Sequence, residues 1–375
     1  MESRLSRRDL LHRTAALTTV IASGTLGGSL AGVMNGKRAQ ARDGSPEGSS
    51  PGGTASTMNQ PTAGQPTASS SCPDETQPQA EAHDEKASSD ERLPIIDTHQ
   101  HLWNLKRFNL PWLKGGGPLA RDYSMTDFLA ATSGLNVVKT IYMEVDVDPR
   151  EHPREAEYVI GQCRDKENPM VAAVIGGRPA DDAFRQYMAR YQDNALVTGV
   201  RQVLHGPTTP RGYCLEQPFI EGIRLLGTLG KSFDICIRPG ELSDAATLAK
   251  ACPDTPLILD HCGNVSTKQK NLDAWRRDLA ALARHKQVAC KISGQMDKAP
   301  TDWTPETLAP VVNHCLDVFG PKRVVFGGDW PVCTLGGTYR RWVDSLMTIL
   351  ADRPVAQQRM LLHDNALRIY RLAAC

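Results

Sequence analysis

From Leu93 onward the chain repeats one pattern: a short β-branched run, a few polar residues, then a longer stretch with helical spacing. Strands that alternate with helices predict βαβ units and a parallel sheet. Eight such runs can be read, at 95–99, 137–145, 170–176, 197–204, 233–237, 256–260, 288–293 and 324–328, and between them apolar residues fall at helical intervals, as in Leu272, Trp275, Leu279 and Leu282. Eight parallel strands close on themselves, and such barrels run to ~250 residues as one unit. The expected fold class is therefore α/β, a (β/α)8 TIM barrel over 93–375.

The first quarter of the chain cannot join that core. Ser6-Arg7-Arg8-Asp9-Leu10-Leu11 followed by a weakly apolar stretch from Ala15 to Val33 reads as a twin-arginine signal over 1–41, with Ala39-Gln40-Ala41 as a small-residue cleavage site. Residues 42–92 are Ser-, Pro- and Gly-rich with hardly a large aliphatic side chain, so burial cannot offset their conformational entropy and a disordered linker is expected. Export through the Tat pathway to the periplasm or cell envelope follows, with the Tat machinery as a partner. That route carries folded proteins, so a metal and reduced thiols could be acquired before crossing. The ten cysteines show no disulfide framework or zinc-knuckle spacing; several sit in apolar runs, such as Cys236 and Cys290, and read as reduced core residues. Forty-three basic against 42 acidic side chains give a net charge of +1, which argues against a nucleic-acid partner and leaves a small-molecule substrate.

Barrel chemistry sits at the C-terminal ends of the strands. The first strand ends on His99 and His101, two apart and able to converge, and imidazole is the commonest ligand for transition metals. Other strands end on Glu144, on Arg201 and His205, on Arg238, on Asp260-His261, on Lys291 and Ser293, and on Asp329. Any one of these alone can be read as a salt bridge or cap, and Lys291, Ser293 and Glu144 read equally so; their recurrence at one end is what points to a site. Alternation from Leu257 and Leu259 gives the inward position to His261 rather than Asp260. Asp329 follows Gly327 and Gly328 and precedes Trp330-Pro331, which suits a general base held where a strand stops. Arg201 and Arg238 are expected to hold a substrate carboxylate or hydroxyls through their planar forks, joined by His205, Trp103 and Trp330. The segment from Trp103 to Trp112 is long for a βα loop and is expected to cover the site.

These motifs resemble the amidohydrolase superfamily, and within it the amidohydrolase-related group that contains sugar-acid and pyrone lactonases. The resemblance runs from Leu93 to the C-terminus and rests on Ile96-Asp97-Thr98-His99-Gln100-His101-Leu102-Trp103, Leu110-Pro111-Trp112-Leu113, Gly199-Val200-Arg201-Gln202-Val203-Leu204-His205, Asp260-His261, Cys290-Lys291-Ile292-Ser293-Gly294, Phe326-Gly327-Gly328-Asp329-Trp330-Pro331-Val332-Cys333 and Asp364-Asn365-Ala366. It implies His99 and His101 as metal ligands or carbonyl-polarising groups, His261 beside them, Asp329 as ligand and general base, and Glu144 as a further acidic metal position. Binuclear members carry a bridging carboxylated lysine at the end of strand four, which 201–205 lacks, so one divalent ion, zinc if any, or none is implied. The Cys262-Gly263-Asn264 segment departs from the group's pattern, so the substrate loop differs. The implied reaction is attack of water on a lactone or ester carbonyl. Two other readings are a decarboxylase on the same barrel and a catalytically idle sugar-acid-binding protein.

Overall fold

A computed structural model describes residues 92–372, so the signal expected at 1–41 and the linker expected at 42–92, apart from its last residue, lie outside the described residues. Eight strands are present: β1 (Ile95–Gln100), β2 (Val137–Met143), β3 (Met170–Gly176), β4 (Val197–Val203), β5 (Ser232–Cys236), β6 (Leu257–Leu259), β7 (Val288–Ile292) and β8 (Val324–Phe326). They pair in sequence order, all in parallel. One helix of six residues or more returns after each: α1 (Met125–Thr132), α2 (His152–Arg164), α3 (Phe184–Ala189), α4 (Gln217–Thr228), α5 (Leu242–Ala251), α6 (Asp273–Ala283), α7 (Pro305–Phe319) and α8 (Tyr339–Ile349). The chain starts these helices with familiar chemistry; Ser124 and Thr304, for example, form capping boxes that satisfy first-turn N–H groups of α1 and α7.

The cylinder is nearly closed, and its seam between β1 and β8 is sewn by polar bonds. Thr98 Oγ1 donates to the Phe326 carbonyl (2.6 Å), the Asp329 amide to the His99 carbonyl (2.8 Å), and the His101 amide to the Trp330 carbonyl (2.8 Å). Asp97 accepts from the Gly328 amide at 2.7 Å and the Tyr339 hydroxyl at 2.9 Å. Gly328 is required there, because a Cβ would stand 2.2 Å from the Tyr339 ring and 2.4 Å from the Asp97 carboxylate.

Two apolar layers result from the strand alternation. Ile96, Ile141, Met143, Ala172, Val174, Ile258, Ala289 and Val325 fill the inside, and the opposite faces pack on the helices. The C-terminal turns add Ala366 and Tyr370 to the inner cluster, anchored where Asn365 Nδ2 donates to the Val324 carbonyl at 2.8 Å. Eight strands stand where eight were expected, but β2, β4, β5, β6, β7 and β8 stop one or two residues early. Their last polar residues leave the ladder to shape the site.

Candidate active site

At the C-terminal mouth three imidazoles face one carboxylate. Asp329 Oδ1 lies 3.5 Å from His101 Nε2 and 3.6 Å from His99 Nε2, and its Oδ2 lies 3.9 Å from His261 Nδ1. The backbone makes this convergence, because Asp329 (φ 55°) and His261 (φ 53°) both adopt left-handed conformations just past β8 and β6. Such conformations cost of order 1–3 kcal/mol each and persist where the surroundings over-determine them.

The expected alternation at β6 is corrected here. Ile258, not Leu257 or Leu259, faces the barrel interior, so parity carries Asp260 inward. His261 reaches the site as well, through the turn in its backbone rather than through strand geometry. There Ser293 Oγ meets its Nδ1 at 2.9 Å.

Beneath the histidines lies a buried charge network. Lys291 Nζ bonds Asp234 (2.7 Å) and Asp260 (2.9 Å) and comes 3.2 Å from His99 Nδ1. On the other side of the ring Arg201 Nη1 stands 3.1 Å from His99 Nε2 and 3.3 Å from Asp260 Oδ2. Each ring nitrogen of His99 thus has a cation nearest it, Lys291 at Nδ1 and Arg201 at Nε2, with Asp260 (3.5 Å) and Asp329 (3.6 Å) farther off, an arrangement that disfavours the imidazolium. Burial first, and then Lys291 and His101, hold the His99 pKa well below the usual histidine range. Burial and the neighbouring His99 do the same for His261. Burial pushes the Asp260 carboxyl up, but Lys291, His261 and Arg201 outweigh it and the net shift is down. Burial raises Asp234 to about 6 against the pull of Lys291.

Above the network opens a cavity of about 620 Å³. Trp103, Trp112, Val145, Val203 and Pro207 give it apolar walls, and His205, Asn264, Asp297 and Lys298 give it polar ones. The long first loop does form one wall: Trp103 and Trp112 meet edge to face at 5.5 Å, and Trp112 Nε1 donates to the Val145 carbonyl at 2.8 Å.

Several expected roles change in this geometry. Arg201 borders the cavity, but its Nε donates to Glu144 Oε1 and its Nη2 to the Glu144 carbonyl, each at 2.6 Å, so the fork expected to hold substrate is already occupied. Glu144 is likewise spent, since its other oxygen accepts from the Asp146 amide at 2.7 Å, and it stands outside the candidate ligand group. Arg238 does border the cavity, as expected, and also clamps the chain after β4, donating to Glu241 and to the Gly206 (2.5 Å) and Thr209 (2.6 Å) carbonyls. Trp330 turns away from the cavity and packs edge to face on Tyr123 and Phe128. Asp297 and Lys298, bonded to each other at 3.0 Å, escaped the sequence reading because they follow β7 in an irregular loop; polar residues at a strand's exit were the available signal.

His99, His261 and Asp329 place their ligand atoms within 4.8 Å of one another, a donor set fit for a divalent cation. Burial pushes the His99 and His261 rings toward the neutral form that a ligand needs. His101 is fixed beside them: its Nδ1 donates to the Met143 carbonyl at 2.8 Å, which turns its Nε2 toward Asp329 Oδ1 at 3.5 Å.

The Amidohydrolase family profile matches residues 96–372. An L-fucono-1,5-lactonase of Burkholderia multivorans is 28% identical over 298 residues, covering 74% of this chain and 96% of that protein. A crystal structure of an amidohydrolase from Burkholderia multivorans with bound zinc superposes with a TM-score of 0.67 at 24% identity, covering 75% of this chain and all of that one. The fold is also shared with a 5-carboxyvanillate decarboxylase from Sphingomonas paucimobilis, at 14% identity and a TM-score of 0.53 over 75% of this chain and all of that one.

Proposed function

The chain belongs to the amidohydrolase family, and from that membership we propose that it opens a cyclic ester, a sugar-acid lactone or a near relative, by attack of a water that Asp329 deprotonates. The observation that carries the reading is the Asp329 carboxylate, faced by three imidazoles within 3.9 Å and bordering the cavity. The L-fucono-1,5-lactonase relative supports a sugar-acid substrate.

In this reading Asp329 takes the proton as water attacks the carbonyl and returns it to the ring oxygen as the bond opens, leaving a carboxylic acid and a hydroxyl. Burial, with Lys291 and Arg201, disfavours the charged form of His99, Ser293 orients His261, and the Met143 carbonyl orients His101. A zinc ion held by His99, His261 and Asp329, with His101 alongside, supplies Lewis-acid polarisation of the carbonyl when bound. Trp103, Trp112 and Val203 exclude water from the apolar faces of the ring, while His205, Asn264 and Lys298 meet its hydroxyls or carboxylate. The twin-arginine pattern and linker support export to the periplasm or cell envelope through the Tat machinery.

A panel of sugar-acid lactones and simple esters, followed by acid release with a pH indicator, tests this reading. Turnover of at least one lactone is expected. Gas release from an aromatic carboxylate with no acid from any lactone, or tight sugar-acid binding without product, overturns it.

A further inference from the structure

Behind the active site three thiols converge from separate elements. Cys262 lies in the turn after β6, Cys290 on β7 and Cys315 on α7, and their sulfur atoms all stand within 4.8 Å of one another. All three are unpaired by disulfides and fully buried in the outer core, between strands and helices. Cysteine packing as a small hydrophobe accounts for any one of them. It does not account for three sulfurs gathered at a point. The thiols hydrogen-bond one another, and beyond the trio Cys262 Sγ and Cys290 Sγ meet the Lys291 carbonyl at 3.7 and 4.0 Å and Cys262 meets the backbone at Ser293.

We propose that Cys262, Cys290 and Cys315 form a three-sulfur site for a thiophilic ion, separate from the histidine and carboxylate group at the mouth, and that trivalent arsenic is the class of ion it fits. The donor number comes first. Among the described residues no histidine or carboxylate joins this group, so it offers three sulfurs and no fourth ligand, unlike the four-coordinate sites that hold structural zinc. Charge selects the ion. Three thiolates around a monovalent or divalent cation leave net negative charge in a dry pocket, and burying an uncompensated charge is costly. The nearby ammonium groups are already held, Lys291 by Asp234 and Asp260, and Lys298 by Asp297. Arsenous acid avoids that cost: three As–S bonds form, three As–O bonds break, and three waters leave with the thiol protons, so the complex is neutral and no electrons are transferred.

The site couples to the mouth of the barrel by covalent adjacency. Cys262 follows His261 and Cys290 precedes Lys291, so drawing the sulfurs together pulls on two residues of the polar network.

Incubation of the intact reduced protein with arsenite, read by native mass spectrometry and by melting temperature, tests the proposal without reference to catalysis. One arsenic is expected to add with loss of three hydrogens, and melting is expected to shift upward, because a ligand that binds the folded state stabilises it. Cys315→Ala and, independently, Cys290→Ala are expected to weaken binding by about a hundredfold or more, since losing even an outer-shell partner of a bound ion costs about 10- to 100-fold. Cys236→Ala, outside the trio, is expected to bind as the parent does. Absence of the adduct, its persistence in both trio variants, or a fall in melting temperature from capture by the unfolded chain would each overturn the proposal.

Discussion

The backbone amide of Asp329 donates to the carbonyl of His99 at 2.8 Å, so the bond that closes the barrel seam also seats the carboxylate over the imidazole. Asp97 reinforces that seam, accepting from the His99 and Gly328 amides and from the Tyr339 hydroxyl while wholly buried. Asp97→Ala strands three buried donors, each costing about 1–3 kcal/mol. Denaturant unfolding is expected to show a loss of at least about 3 kcal/mol; a loss under about 1 kcal/mol would mean the seam is held by other contacts.

Arg201 acts as a strut under His99 rather than as a free fork for substrate. Removing it leaves Glu144 and Asp260 buried with their charge less compensated, and breaking such a pair typically costs about 3–5 kcal/mol. Arg201→Met is therefore expected to lower unfolding stability by that order. A variant as stable as the parent, with only KM raised, would restore the substrate role.

Glu155 carries a pH dependence of stability. The Tyr142 hydroxyl and the Val145 amide both donate to its Oε1, its Oε2 is buried without a partner, and burial, then the Glu144 charge, raises its pKa to about 8. Below the unfolded value near 4.5 both states hold the proton and the contribution of Glu155 is fully present. Between there and about 8 only the folded state keeps it, so stability drains as pH rises. Glu155→Gln holds the neutral form at every pH. Its melting temperature relative to the parent is expected to climb between pH 5 and pH 8; a constant difference would show that Glu155 is ionised in the fold.

Trp330 was expected to hold substrate and Trp112 to belong to the covering loop, yet of the two only Trp112 borders the cavity. Trp112→Ala is expected to raise KM for a lactone several-fold with kcat little changed, whereas Trp330→Leu is expected to lower stability by about 1–3 kcal/mol through lost packing. Steady-state kinetics and thermal unfolding of the two variants check the distinction, and the opposite pattern would contradict it.

How far the sequence could be read follows from what each residue depends on. The β-branched runs made the strands legible because side-chain alternation and burial are local properties. The residues ending those strands gathered His99, His101 and Asp329 for the same reason. Asp260 was misplaced because β6 is only three residues long, too short for leucines to declare which face is inside. The tasks of Arg201, Glu144 and Arg238 were hidden because a guanidinium's partner is set by tertiary approach, here across adjacent strand ends. Lys298 belongs to an irregular loop with no periodicity to place it. The cysteine trio is likewise invisible in one dimension, its members lying on a turn, a strand and a helix.

The central claim is that Asp329 removes the proton from the attacking water, and Asp329→Asn tests it most directly. Asparagine keeps the size and tolerates the left-handed backbone at this position. On a lactone turned over by the parent protein, kcat is expected to fall about 100- to 10,000-fold with the fold retained by circular dichroism. A folded Asp329→Asn variant that turns over the same lactone at close to the parental rate would contradict the account.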